Sequence, residues 1–141
     1  MNKKKVVLLI TLIIILSLSF GIVYLINSNK TVICELNKDN YNTIINLNKN
    51  NINFSYKYSF NTIEESVDKF DMMSSYIDFI EKLDGVKSNI KQNKNIMEYS
   101  INIEINKITI EKYKLLEIDK VVGLNNKEII KYYEDLGYTC K

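Results

Sequence analysis

The sequence predicts an α+β domain behind an N-terminal transmembrane helix, and three observations support this prediction. Residues 6–26 are a run of 21 residues without charge. Residues 52–60 and 97–105 alternate apolar and polar side chains, the period of a strand with one buried face. Between them, from Ile63 to Leu83, apolar residues recur every three or four positions, as in an amphipathic helix. We therefore expect one small antiparallel sheet, in the order β-β-β-α-β-β-α-α, with helices packed on one face.

The N-terminal run has the length and flanking charge of a signal anchor. Sixteen of its 21 residues are Ile, Leu, Val or Phe, and as a helix it would span about 31 Å, the thickness of a hydrocarbon core. Three lysines precede it, so we expect residues 1–5 to be a cytoplasmic basic tip, 6–26 the anchor, 27–30 a tether and 31–141 an extracytoplasmic domain of a single-pass cell-membrane protein. The alternative is a cleaved signal near Ser28 and secretion.

Three strands are predicted at the start of the domain. Residues 31–36 and 41–47 are β-favouring segments separated by a turn of Asn, Lys and Asp. The third strand, 52–60, turns five apolar or aromatic side chains to one side: Ile52, Phe54, Tyr56, Tyr58 and Phe60.

A helix of about 20 residues is predicted next. Thr62 and Glu65 match the capping box, in which two side chains satisfy backbone donors at a helix start, and Gly85 is a typical stop. Seven apolar residues fall on one helix face, which we expect to be buried: Ile63, Val67, Phe70, Met73, Ile77, Ile80 and Leu83.

The second half of the domain reads as a hairpin followed by two helices. Residues 86–92 and 96–106 form the hairpin, and the short connections imply an antiparallel meander. Thr109 is expected to open a short helix through about Ile118. Asn126 is expected to cap a last helix that runs to Leu136 and stops at Gly137, before a short extended tail.

The two cysteines, Cys34 and Cys140, lie near opposite ends of the predicted external domain. Exported cysteines in even number usually pair, so a disulfide is expected, provided the first strand and the tail lie side by side. Two free thiols are an alternative reading. A third is a lipid attached to Cys34, but Ile33 stands where a lipoprotein signal carries a small residue.

The composition argues against most catalytic sites. The chain has no histidine, the residue most often used for acid–base catalysis, and its four glycines are isolated rather than grouped in a phosphate-binding loop. We expect no cofactor and no catalytic residues. The external part carries 16 lysines and 17 carboxylates, a net charge of −1, with no arginine. Such a balance lacks the basic surface that dominates nucleic-acid binding.

Two groups of residues remain as weak candidates for a site. Glu65 and Asp68 share one helix face and could hold a hard cation such as Ca²⁺, although dipole compensation at the helix start explains them more simply. Tyr56 and Tyr58 could form a stacking platform, although burial under the long helix is the favoured interpretation.

With these elements in place, the domain resembles the YehR-like lipoproteins and their membrane-anchored relatives in Gram-positive bacteria. The resemblance implies a fold and a cell-surface location, and no catalytic residues, because the family has no established activity. In the lipoprotein members a cysteine at the mature N-terminus carries lipid, and here the lipoprotein signal is missing. Five segments carry the resemblance: residues 31–34, 54–60 leading into the long helix, 83–86, 97–105 and 134–141.

These observations together indicate a membrane-anchored extracytoplasmic domain, a non-enzymatic binding or structural module of the bacterial cell envelope. Its expected partners are the membrane and an envelope protein or ligand that the sequence does not identify. The alternative is a surface enzyme that uses carboxylates, with or without a bound metal. Two or more carboxylates converging in a cleft would favour the enzyme, and an apolar groove would favour binding.

Overall fold

The computed structural model describes residues 30–141, which contain six strands and two α-helices. The predicted basic tip and anchor, and residues 27–29 of the tether, lie outside the described residues. Within 30–141 no helix has both the length and the apolar character needed to cross a membrane. The elements, in chain order, are β1 (Val32–Lys38), β2 (Tyr41–Leu47), β3 (Asn51–Ser59), α1 (Ile63–Ile80), β4 (Val86–Asn93), β5 (Ile96–Glu104), 3₁₀ turns at Ile105–Lys107 and Ile110–Lys112, α2 (Asn126–Asp135) and β6 (Thr139–Cys140).

All six strands form one antiparallel sheet in the order β4-β5-β3-β2-β1-β6. The α+β prediction is therefore correct, but the expected meander is wrong, because β5 rather than β4 pairs with β3. The nine residues of β5 match the nine of β3, and one face of β5 is wholly apolar and buried. The same face of β4 includes Ser88 and Gln92, which suits an edge position better than the centre of the sheet.

One face of the sheet is apolar and the other polar. Cys34, Ile45, Phe54 and Ile101 are successive partners across four strands, so they lie on the same face. On the opposite face a row of asparagines crosses β2, β3 and β5 in the same way. The two helices and the segment between β5 and α2 contribute to the core on the apolar face.

Helix α1 has the predicted cap, Thr62, but only half of the predicted capping box, because the Glu65 carboxylate accepts from the Asn61 N–H instead of the Thr62 N–H. The helix also buries a different first turn. The Thr62 hydroxyl accepts a hydrogen bond from the Glu65 backbone N–H at 3.2 Å. Ser66 is fully buried, whereas Ile63 and Val67 are 53% and 42% exposed, so their predicted burial is wrong. The buried residues of α1 are Ser66, Ile77 and Ile80. Val67 lies about 100° around the helix from Ser66 and therefore faces away from the sheet.

The predicted helix from Thr109 to Ile118 is absent. Thr109 makes no side-chain cap, and only a 3₁₀ turn and further turns follow. Leu116 and Ile118 are both buried, two positions apart, and a helix cannot direct such a pair to one side. Between them Glu117 adopts φ 57°, which breaks the helical path and keeps both neighbours in the core.

The remaining helix ends differ from the predictions by small shifts. Asn125, not Asn126, caps α2, and its side chain and that of Glu128 form a reciprocal capping box. Helix α1 ends at Ile80 with Glu81 as its C-cap, so the predicted continuation to Leu83 and stop at Gly85 are not observed. Gly85 lies in the following turn at φ +80°. An added Cβ there would lie 2.6 Å from the Lys107 Cβ, so this position also needs glycine for its close contact with the turn after β5.

The expected disulfide joins Cys34 and Cys140, with an S–S distance of 1.97 Å and a Cα–Cα distance of 4.1 Å. It links β1 to β6, the outermost strand on that side of the sheet. Ile33 and Lys141 exchange two backbone hydrogen bonds of 2.9 Å beside it. The two ends of the domain are thus joined by a disulfide bond and by the backbone hydrogen bonds between β1 and the C-terminal tail.

Loss of this disulfide should lower the free energy of unfolding by roughly 2 to 5 kcal/mol while preserving the fold. The bridge joins residues 106 positions apart, and so large a loop restricts the unfolded chain strongly. Urea unfolding of the full chain in lipid nanodiscs would measure the change for the Cys34→Ala/Cys140→Ala double variant and for the reduced native chain. Equal stability of oxidised and reduced protein would contradict the prediction.

Candidate functional site

A cleft of about 580 Å³ lies on the apolar face of the sheet, between the two helices. Ligand pockets commonly have volumes of about 300 to 1,000 Å³. The cleft meets solvent along a rim of exposed apolar side chains on α1, on the loop before α2 and after α2: Met72, Tyr76, Leu115 and Leu136. Exposed apolar groups around an apolar cleft are typical of a binding site.

The floor of the cleft is a pair of stacked tyrosines on two adjacent inner strands. Tyr56 of β3 and Tyr99 of β5 are direct cross-strand partners, and their ring centroids are 4.5 Å apart at an interplanar angle of 22°. Tyr58 stacks on Tyr99 at 6.1 Å and extends the row. Strict alternation along both strands directs all three rings to the apolar face.

The walls come from the helices and the tail. Met72, Met73 and Tyr76 of α1 stand on one side, and aromatic residues of α2 and the tail stand on the other. Tyr133 holds this second wall together, since its ring meets Tyr132 and Tyr138 edge-on at 5.2 and 5.3 Å. Tyrosine supplies a large apolar ring with a polar hydroxyl, so the walls can contact both apolar and polar parts of a ligand.

The tyrosines of the cleft stay neutral well above physiological pH. Burial is the main cause, and it raises the pKa of the Tyr56, Tyr99 and Tyr133 phenols above the ordinary value. Burial also raises the pKa of Tyr76, and the Glu117 carboxylate raises the pKa of both Tyr76 and Tyr56 further. Glu117 is the one acidic residue among the described residues that line the cleft.

The two metal candidates from the sequence, Glu65 and Asp68, lie outside the cleft lining. The Glu65 carboxylate accepts a hydrogen bond from the Asn61 backbone N–H at 3.2 Å, which completes the start of α1. Asp68 is exposed on the same helix. Across residues 30–141, no three carboxylate, cysteine or histidine groups converge in a way that could hold a metal ion.

Tyr56 and Tyr58, the two candidate tyrosines of β3, are half-buried. They are therefore neither a fully open stacking platform nor fully buried under α1. Tyr56 forms part of the cleft floor, and Tyr58 packs beside it. The sequence patterns did not predict that Tyr99 and Glu117 belong to the same site. Tyr99 joins Tyr56 only because β5 pairs with β3, and the equal lengths of the two alternating segments were the available signal.

The polar face of the sheet carries a shallower groove of about 270 Å³. Its lining has two lysines and one carboxylate, and Lys57 and Lys91 contact the two oxygens of the Glu98 carboxylate at 2.9 and 2.8 Å. Hydrogen bonds from these lysines lower the pKa of Glu98. The cleft on the apolar face has about twice the volume of this groove and is lined by aromatic rings and methionines, which makes it the stronger candidate for a ligand site.

Comparison with known proteins identifies the fold. No protein-family model matches the sequence, and no curated protein matches it. The chain is structurally similar to the E. coli YehR protein, with a TM-score of 0.61 and 11% identity over 81% of this chain and 91% of that one. It is also similar to a protein from Streptococcus pneumoniae TIGR4, with a TM-score of 0.55 and 12% identity over 79% and 83%. The domain therefore shares a YehR-like fold.

The raised tyrosine pKa values predict a loss of stability in alkali. The native state keeps these phenols protonated, while unfolded tyrosine ionises near pH 10. The contribution of these protonated phenols to the free energy of unfolding is thus complete below about pH 10. It declines as the pH rises from there toward the native pKa values. In urea unfolding measured from pH 8 to about pH 11, the Tyr56→Phe/Tyr99→Phe variant should lose less stability than the native chain. Tyr113→Phe, outside the cleft lining, is the control, and an equal effect of both would contradict the assignment.

Proposed function

We propose that this protein is a non-enzymatic binding module at the outer face of the bacterial cell membrane, and that its tyrosine-lined cleft takes a small ligand with an apolar part. The observation that carries the proposal is the open cleft of about 580 Å³ over the buried face of the sheet. In a domain this small, an unfilled space lined by aromatic rings and methionines costs packing energy. A ligand that fills it recovers those contacts.

The expected affinity is modest and measurable. Binding that removes about 200 Å² of apolar surface from water, counting the cleft and the ligand together, contributes roughly 5 kcal/mol at about 25 cal/mol per Å². Association entropy opposes part of this gain. A fragment-sized apolar probe should therefore bind with a Kd between about 0.1 and 10 mM.

The lining favours binding over catalysis. Hydrolysis by carboxylates uses two groups, one acting as acid and the other as base or nucleophile. Glu117 has no second carboxylate beside it among the described residues that line the cleft. The tyrosines cannot supply a base at neutral pH, because burial raises the pKa of Tyr56 and Tyr99.

The external location rests on three further observations. Three lysines precede the apolar run at 6–26, and positive charge is retained in the cytoplasm. The Cys34–Cys140 disulfide is the kind of bond that persists in an oxidising compartment. The similarity to YehR extends over the domain, and we include this protein with the membrane-anchored relatives of that protein as part of the proposal.

Binding can be observed through the methionines. The chain has four: Met72 and Met73 line the cleft, and Met97 is buried outside its lining. With ¹³C-methyl methionine in the full chain in lipid nanodiscs, benzyl alcohol should shift the Met72 and Met73 methyl resonances in a saturable manner. The Met97 resonance should remain in place and serve as an internal reference.

A matched pair of variants tests whether the cleft rim is responsible. Tyr76→Gln removes an apolar rim group and should weaken benzyl alcohol binding by about fivefold, since roughly 1 kcal/mol of apolar contact is lost. Phe79→Gln changes a residue of the same helix that is 50% exposed and outside the lining, so it should bind as the native chain does. Equal weakening by both variants, or no saturable shift in the native chain, would refute the proposed function.

The proposed topology predicts that protease added to intact protoplasts digests the domain. The tether places residues 31–141 outside the membrane if the lysines of residues 1–5 stay inside. An antibody to the C-terminal residues would follow the loss of the intact chain, with a cytoplasmic protein as the control for lysis. Full protection of the domain in intact protoplasts would contradict the topology.

A further inference from the structure

We propose that the cleft selects a small organic cation, of the quaternary or alkylated ammonium class, with Glu117 as its counter-charge and the tyrosine rings of the cleft walls beside it. This inference rests on the proposed function, because it names the class of ligand for the same cleft. It follows from how the single charge of the lining is held and from the chemistry of the surrounding rings.

Glu117 is an exposed residue of the cleft lining, and its backbone position is determined by the fold. Its neighbours Leu116 and Ile118 are 5% and 0% exposed, so both are fixed in the core. The Ile118 backbone N–H donates to the Tyr113 carbonyl at 2.9 Å and closes the turn around this residue. Glu117 itself has a φ of 57°. A short segment anchored on both sides therefore presents one carboxylate to the cleft.

No opposite charge within the described lining neutralises this carboxylate. The other lining side chains are apolar or tyrosines. Burial is the main cause of the raised pKa of Tyr56 and Tyr76, and the Glu117 charge raises both further, so this charge lies within electrostatic reach of the floor and the α1 wall. A cation in the cleft would gain from this field, a neutral ligand would not, and an anion would be repelled.

The ring faces favour the same class of ligand. The face of an aromatic ring is negative, and a cation within about 6 Å of the centroid is attracted to it. Each such contact raises affinity by roughly two- to thirtyfold, more when the cation is desolvated. The faces of Tyr56 and Tyr99 are turned toward each other and toward the neighbouring rings of the row. The rings that could offer a face to a cation are therefore those of the walls, Tyr76 and Tyr132.

The same lining disfavours a metal ion. Ca²⁺ takes six to eight oxygen ligands, and Mg²⁺ requires an octahedral set. One carboxylate among aromatic and methionine side chains cannot replace those ligands. An alkylated ammonium group is weakly hydrated and apolar on its surface, so the ring faces can replace its water.

Choline and its neutral isostere, 3,3-dimethyl-1-butanol, test the charge preference directly. Both would be titrated into the full chain in nanodiscs, with the Met72 and Met73 methyl resonances as the readout. Choline should bind about tenfold more tightly than the isostere. Glu117→Gln should remove most of this preference. Glu111→Gln, an exposed carboxylate of the same segment outside the lining, should leave the preference intact.

The outcomes separate this inference from the proposed function. If choline and the isostere bind equally, or if Glu117→Gln keeps the preference, the cation assignment is wrong while the cleft remains a binding site. The same conclusion holds if neither compound shifts the methionines but benzyl alcohol does. If none of the three compounds shifts Met72 and Met73, both proposals fail.

Discussion

Burial of only one face of the sheet is the constraint on which the rest of this structure depends. Partners across four strands, from Cys34 to Ile101, place their side chains on the apolar face, so each remaining element must help to cover that face. Helices α1 and α2 and the segment between β5 and α2 all pack there. The polar face requires no cover, since its charges pair with one another around Glu98.

The cover is incomplete, and the cleft is the result. Helix α1 contacts mainly β4 and β5, whereas α2 contacts β1 and β6. The central strand β3 therefore lies between the two helices, with Tyr56 beneath the gap. Bulky rings on β3 and β5 fill only part of this space. A site between two helices thus arises from covering a six-stranded sheet with two helices.

The cation hypothesis depends on a turn that sequence periodicity described incorrectly. A helix through Ile118 would have placed Glu117 on a helical face with Leu116 and Ile118 pointing in different directions. The core instead buries both neighbours, and Glu117 takes a left-handed conformation between them. Packing energy in the core therefore determines where the carboxylate lies. The metal candidates Glu65 and Asp68 show the reverse case, because local helix-start chemistry accounts for Glu65 and Asp68 is exposed.

The sequence by itself determined the elements whose signal is local: the alternating strands, the start of α1 at Thr62 and the hairpin of β4 and β5. It also favoured a disulfide between the two cysteines of the domain. Side-chain period and helix capping act within a few residues, and two cysteines allow only one disulfide pairing. Only the tertiary structure decided that β5 pairs with β3, that Ser66 rather than Val67 is buried, and that Tyr56, Tyr99 and Glu117 share a cleft. These outcomes depend on contacts between segments far apart in the chain, where the packing of the whole apolar face outweighs local preference.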